Sequence, residues 1–305
     1  MVYLLQRTID GICDGSAYAL VGLGLALSFG ILKRLNLAYG ATTMLAAYLG
    51  AWLYSTHAAP IWLVGMVIVA AAIVIGRYVE WLCFPQRTSD LSLQRGNVPQ
   101  AGRDGREVVA LASSFALWMQ LEQLAIHLLP RHLNTFPSMA FHEEWAMGAL
   151  VLRPDRLVLL ILALILTFTL HLFLQHSRTG LAWRACADQQ VAANLAGIRV
   201  GRINSLAFAL ASALSGVAAF AILALDGQVT PMFGMWVLLK GLTAAMLGGI
   251  GSVRGVLIGG LLLGVVEAHV QALFGAIWRE FAVYLLLFIA LAFPWRPFTV
   301  RHAYA

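Results

Sequence analysis

Nine stretches of this chain are apolar along most of their length, and several approach the roughly 20 residues that a helix needs to cross a bilayer. We place them near residues 9–32, 35–55, 61–77, 107–129, 157–174, 203–225, 235–250, 255–274 and 280–293. Composition agrees with a membrane class. Of 305 residues, 61% are hydrophobic and 11% charged, whereas soluble domains carry about 25% charged residues. The expectation is an all-α polytopic membrane protein with about nine transmembrane helices, eight to ten being open, in one transmembrane domain over residues 1–305. The first span follows a single early Arg and carries Asp10 and Asp14, with no small-residue cleavage site, so it reads as an uncleaved span and not a signal peptide.

Basic residues then orient the spans. Lys33, Arg34, five Arg from Arg77 to Arg106, four from Arg178 to Arg202, Arg254, Arg296 and Arg301 fall on one side, fourteen in all. Arg7, Arg131, Arg153, Arg156 and Arg279 fall on the other, and Lys240 lies inside a span. The richer side is cytoplasmic by the positive-inside rule, so the N-terminus is expected outside and the C-terminus inside. The net charge of +6 is therefore read as topology, and no nucleic-acid partner is expected. Cys13, Cys83 and Cys186 are scattered and suggest neither a disulfide nor a zinc site.

Residues 178–198, RTGLAWRACADQQVAANLAGI, cannot lie in the membrane yet have helical order. A central Arg or Asp costs about 2.5–3.5 kcal/mol on insertion scales, and this stretch contains Arg184 and Asp188 beside Gln189, Gln190 and Asn194. Leu181, Ala185, Asp188, Ala192 and Leu195 recur at three- and four-residue steps, which predicts one helix face. Gly180 and Gly197 bracket the run, Gly197 where a helix would stop. A continuous helix over residues 181–196 would be about 24 Å long. Such a short Ala-rich helix between spans points to docking on another protein.

The pattern R-x-G-x-x-x-R-A-C-A-D followed by A-x-x-L-x-G-I resembles the cytoplasmic coupling loop of ABC-importer permeases of the branched-chain amino acid type. Residues 14–40, DGSAYALVGLGLALSFGILKRLNLAYG, are similar to that family's first two spans, and residues 246–268, MLGGIGSVRGVLIGGLLLGVVEA, to its Gly-rich last third. Residues 110–131 match more weakly. The likeness is to the shorter, LivH-like permease type. It implies a coupling element built from Gly180, Arg184, Ala185, Asp188, Ala192 and Gly197. It also implies a second permease subunit, two ATP-binding cassette ATPase subunits, an external substrate-binding protein, and a place in the bacterial inner membrane. The implied cargo is leucine, isoleucine or valine, moved by alternating access, with urea or short amides as the variant carried by close relatives. Residues 88–105 are polar and aperiodic and read as a flexible cytoplasmic loop, longer than the family's usual link. Residues 130–156 form the longest outer loop, open to two readings, a surface for the binding protein or a solvated connector.

Polar groups at membrane depth are few. Ser16, Tyr18, Asn36 and Tyr39 carry the polar content of the first motif and are the candidate translocation-pathway residues, with Asn36 a candidate cap for the second span. The family more often has His at the position of Tyr39. Asp10 and Asp14 share a helix face and suit an interfacial or a pathway role. Lys240 and Glu267 lie in adjacent spans and are expected to neutralise one another. Glycines at 11, 15, 251, 255, 259, 260 and 264 form small-residue ladders, for close helix packing or for hinges in a transport path. The chain has no G-x-x-x-x-G-K-[ST] P-loop, no H-E-x-x-H and no G-x-S-x-G. No catalytic, cofactor or metal residues are assigned, and ATP hydrolysis is expected in partner chains. Two rivals stand beside the importer. An ion-coupled secondary transporter would pair intramembrane carboxylates or histidines with ion flow, and a membrane enzyme would gather a His/Asp or Cys/His cluster.

Overall fold

The computed structural model describes residues 2–84, 100–128, 135–137, 145–147 and 150–292. In chain order these form α1 (Val2–Leu32), α2 (Ala38–His57), α3 (Ile61–Cys83), α4 (Gln100–Leu128), a hairpin of β1 (Trp145–Met147) and β2 (Leu150–Leu152), then α5 (Pro154–His176), α6 (Arg178–Asp188), α7 (Gln190–Leu195), α8 (Val200–Asp226), α9 (Phe233–Gly248), α10 (Val253–Phe274) and α11 (Ala276–Ala292). A helix thus lies at each expected apolar stretch. Six of them, α1, α3, α4, α5, α8 and α10, are long and apolar enough to cross a membrane. The 31 residues of α1 run about 46 Å at 1.5 Å per residue, beyond the ~30 Å of a hydrocarbon core. α2, α9 and α11 are not among the six. α2 is enclosed by α3, α4, α8 and α9, so Thr42, Thr43 and Tyr48 are buried against protein.

α1 is the axis of the bundle. In its most apolar window 78% of residues are buried, against 22–33% in α3, α4, α5 and α10. Those outer helices present Trp62, Trp81, Phe115, Ile165, Phe168 and Leu262 at the surface, the faces that a bilayer covers. α1 also packs against α5, α8, α9 and α10. Its crossing with α10 is made possible by the ladders. A Cβ at Gly11 would stand 2.7 Å from the Gly264 carbonyl oxygen, and one at Gly15 2.6 Å from that of Gly260. Only hydrogen fits there, and this is the close backbone approach that small-residue spacings permit.

Helix ends follow local chemistry. Pro154 opens α5, where its missing N–H costs nothing. Ser177 caps α6 by accepting from the Gly180 amide at 2.8 Å, and Ser252 caps α10 by accepting from Gly255 at 3.1 Å. α8 stops at Gly227, φ 69°, the left-handed conformation that glycine adopts at least cost.

Several expectations change. The continuous helix expected over residues 181–196 is broken at Gln189, whose φ of −150° and ψ of 99° are extended, so α6 and α7 are separate. Asn36 is not a side-chain cap: Leu37 precedes α2 without a side-chain cap, and the buried Asn36 Oδ1 has no hydrogen-bond partner among the described residues. Of the expected 88–105 loop, residues 88–99 lie outside the described residues, while α4 already begins at Gln100. Within 130–156, the described parts are tied to the bundle. Val151 and Gln6 of α1 exchange two hydrogen bonds, at 2.8 and 3.1 Å, and the Phe136 amide donates to the Gly227 carbonyl at 3.0 Å.

A charged cavity at one end of α1 and a polar helix pair at the other

Four helices meet beside the N-terminal half of α1. The start of α5, the end of α8, the start of α9 and the start of α11 surround a cavity of about 200 Å³. Asp14 and Tyr18 contribute from α1, Asp155 and Arg156 from α5, Asp226 from α8, Lys240 from α9 and Arg279 from α11. Apolar side chains, Leu159, Ile222, Leu225, Phe233 and Val237, complete its wall.

Behind that wall the expected Lys240–Glu267 pair is formed, Nζ to Oε1 at 2.7 Å. It belongs to a larger network. Lys240 Nζ also lies 3.4 Å from Glu280 Oε1 and 4.9 Å over the Tyr18 ring, with the Trp236 ring at 5.2 Å. Arg279 pairs through Nε with the same Glu267 oxygen, and its Nη2 donates to the Tyr18 hydroxyl at 3.0 Å. Two cations thus face two carboxylates, the neutral balance that a buried ionic group requires. A ring face adds to a cation's stability when the site is dry.

Nearer the start of α1, Arg156 Nη1 lies 3.1 Å from Asp10 Oδ1 and 3.9 Å from Asp14 Oδ2. Arg153 donates to Asp155 Oδ2 at 3.0 Å. The other oxygen of Asp155 is buried with no hydrogen-bond partner among the described residues.

Of the pathway residues expected from sequence, Tyr18 alone lines this cavity. Tyr39 stands one layer behind it: its hydroxyl is 3.2 Å from the carbonyl of Val21, itself a lining residue, and 3.3 Å from that of Ala211. The Ser16 hydroxyl turns back onto the Cys13 carbonyl at 2.6 Å, and Asn36 lies elsewhere in the core. Asp155, Arg156, Asp226 and Arg279 were missed as a group. The signal was charge at the ends of apolar runs: Arg156 and Arg279 enter the orientation count by the positive-inside rule, whereas Asp155 and Asp226 have no part in it.

The C-terminal end of α1 meets α6 and α7. α6 buries Gly180, Trp183 and Cys186, and α7 buries Ala193. Leu181, Asp188, Ala192 and Leu195 are exposed. Ala185 packs partly against the core. A Cβ at Gly180 would stand 2.5 Å from the Phe173 and Leu174 carbonyl oxygens, so glycine lets α6 fold tightly back on the last turn of α5. Arg184 Nη2 is 3.4 Å from the Gln175 carbonyl oxygen. Gln190, the first residue of α7, donates from Nε2 to the Ile31 carbonyl of α1 at 2.7 Å. Past α7, Gly197 takes φ 83° and ends the helix, as its position in the sequence predicts. Burial pushes the Cys186 thiol up from its usual range, which keeps it a packing residue.

Residues 7–291 match the family described as branched-chain amino acid transport system / permease component. The high-affinity branched-chain amino acid transport system permease protein BraD of Pseudomonas aeruginosa is 30% identical over 296 residues, covering 95% of this chain and 94% of BraD. The permease protein LivH of the corresponding high-affinity system of Escherichia coli K12 is 29% identical over 303 residues, covering 95% and 93%. A solved chain of the PsaBC–Fab complex, with PsaBC from Streptococcus pneumoniae, aligns at a TM-score of 0.47 and 11% identity over 94% of this chain and 90% of that one.

Proposed function

The chain belongs to the branched-chain amino acid transport system permease family, and from that premise we propose that it is the membrane-spanning subunit of an ATP-driven importer of leucine, isoleucine and valine. The match over residues 7–291 carries this reading. In it all nine long helices cross the bilayer, with the N-terminus outside and the C-terminus in the cytoplasm. α6 and α7 face the cytoplasm and receive two ATPase subunits. A second permease completes the membrane unit, and a binding protein delivers substrate on the side where Asp14 and Asp226 lie.

The geometry supplies a route for coupling. The exposed residues of α6 and α7, including Asp188, Ala192 and Leu195, offer a surface, while Gln190 ties α7 to the last turn of α1. From Ile31 to Asp14 the helix runs about 25 Å at 1.5 Å per residue. A push on α7 is thus delivered to a rigid element whose other end lines the charged cavity. Alternating access then requires α1 to move between two packings.

An ion-coupled transporter is less well supported. The matching family and both named relatives are branched-chain amino acid transport permeases, and the carboxylate of Glu267 is held by Lys240 and Arg279 together.

The experiment is uptake of labelled leucine into vesicles carrying the chain with its ATPase and binding-protein partners. ATP-dependent accumulation is expected, and accumulation driven by an ion gradient without ATP would overturn the reading. For orientation, Leu195→Cys should react with an impermeant thiol reagent only from the cytoplasmic face, while Cys186 stays slow.

A further inference from the structure

We propose that the cavity beside α1 is a seat for an α-amino acid, in which Asp155 and Asp226 receive the ammonium group and Arg279 the carboxylate. The choice of an amino acid rests on the transport reading above; the assignment of its two ends rests on the cavity alone.

The carboxylates come first. Asp155 has a side chain only 3% exposed, and one of its oxygens is taken by Arg153. Its second oxygen is buried and lacks a partner among the described residues, although the residue lines a 200 Å³ cavity. An unpaired buried acceptor of this kind destabilises the empty site, the more so when charged, and a donor arriving in the cavity removes that cost. Asp226 lines the same space and has no ion pair within 4.0 Å among the described residues. Among the described residues, the cavity is lined by three carboxylates, Asp14, Asp155 and Asp226, and four cations, Arg153, Arg156, Lys240 and Arg279. Glu267 and Glu280 hold Lys240 and Arg279 from behind the wall, Asp10 and Asp14 hold Arg156, and one oxygen of Asp155 holds Arg153. That leaves Asp226 and the second oxygen of Asp155 to be answered by a cationic donor.

The other end follows from donor counting. A guanidinium has five N–H groups. Arg279 directs Nε at Glu267 and one Nη2 hydrogen at the Tyr18 hydroxyl, and it lines the cavity. Its remaining fork suits a carboxylate, the group that guanidinium recognises in two-point fashion. Between the two poles, Leu159, Ile222, Leu225 and Val237 offer an apolar wall for a branched side chain. At about 200 Å³ the space is below the roughly 300–1,000 Å³ of pockets for drug-sized ligands and fits one small metabolite.

The test uses the purified permease with Ile222→Cys as a reporter in the cavity wall, and Leu225→Cys as a parallel reporter. Native Cys13, Cys83 and Cys186 are buried. Alkylation by iodoacetamide is timed with L-leucine, with 3-methylbutylamine (leucine without its carboxylate) and with 4-methylpentanoate (leucine without its ammonium). Leucine and the amine should slow alkylation, the acid should not. Asp226→Asn, and independently Asp155→Asn, should raise the half-protecting leucine concentration about tenfold, the loss of one charge-assisted hydrogen bond. Arg279→Gln should weaken leucine and leave the amine unchanged. Equal protection by acid and amine would overturn the assignment. So would absence of protection by leucine and amine, the result for a cavity that holds only water. A folded Asp226→Asn protected at the wild-type concentration would do the same. Failure of the transport reading is seen separately: cavity protection without ATP-dependent uptake sinks the importer and leaves the seat standing.

Discussion

The two ends of α1 treat polar groups in opposite ways. Near Asp14 and Tyr18, charges are set among apolar side chains and the ion pairs join different helices: Glu267 is met by Lys240 and Arg279, Asp10 by Arg156. At the C-terminal end Asp188, Ala192 and Leu195 remain at the surface, and a single hydrogen bond from Gln190 ties α7 to α1. Where charges are buried their partners are part of the fold, because an unpaired ion there costs several kcal/mol. Where they are exposed, the fold survives their loss. Removing Glu267, which holds two cations, should therefore fail as a folding defect, and substitutions at the second end as uncoupling.

Glu267→Ala is expected to have the largest effect. It strands Lys240 and Arg279, and breaking a buried pair costs about 3–5 kcal/mol, so the solubilised variant should lose its cooperative thermal transition or show it at much lower temperature. A wild-type transition would mean that the cluster is hydrated and the contrast between the ends is false. Gly264→Leu comes next. Its side chain would enter the α1–α10 crossing beside Gly11 and Gly15, and overpacking of about 1–3 kcal/mol or more should reduce the monodisperse fraction in size-exclusion chromatography. Normal assembly would show that this ladder has room to spare.

Gln190→Leu sharpens the comparison from the other end. It removes one hydrogen bond to α1, about 0.5–1.5 kcal/mol, so thermal stability should fall slightly while uptake falls far more. If both fall in proportion, the bond is ordinary packing. The smallest stability effect is expected for Ala192→Trp combined with Leu195→Lys. Both positions are exposed, and surface changes of this kind stay within about 0.5 kcal/mol. Uptake and co-purification of the ATPases should nonetheless be lost. Retained ATPases and retained uptake would remove α7 as the docking element. Ala185 is a poorer probe, because it packs partly against the core and a Trp there would confuse folding with coupling.

The amino-acid sequence by itself determined the membrane class, the places of the helices, the polar stretch between α5 and α8, the helix stop at Gly197 and the Lys240–Glu267 pair. Each of these rests on information local to a run of residues or to two neighbouring spans: hydropathy over about 20 residues, the conformational freedom of a glycine past a helix, and two opposite charges that would each be costly alone. Tertiary structure decided what local pattern cannot express. Arg279 and Tyr18, 261 residues apart, share a hydrogen bond, and nothing in either segment encodes that distance. The single face expected across residues 181–195 is not formed as one helix, because the backbone breaks between Asp188 and Gln190. Gln189 turns extended, and the chain that follows places Gln190 against the Ile31 carbonyl. A hydrogen bond to another helix accompanied by burial of Ala193 outweighs the few tenths of a kcal/mol per residue that intrinsic helix propensity supplies. The cavity is the extreme case. Its charges come from five helices, and their meeting beside α1 is set by helix packing, with α10 drawn against α1 along a track of glycines.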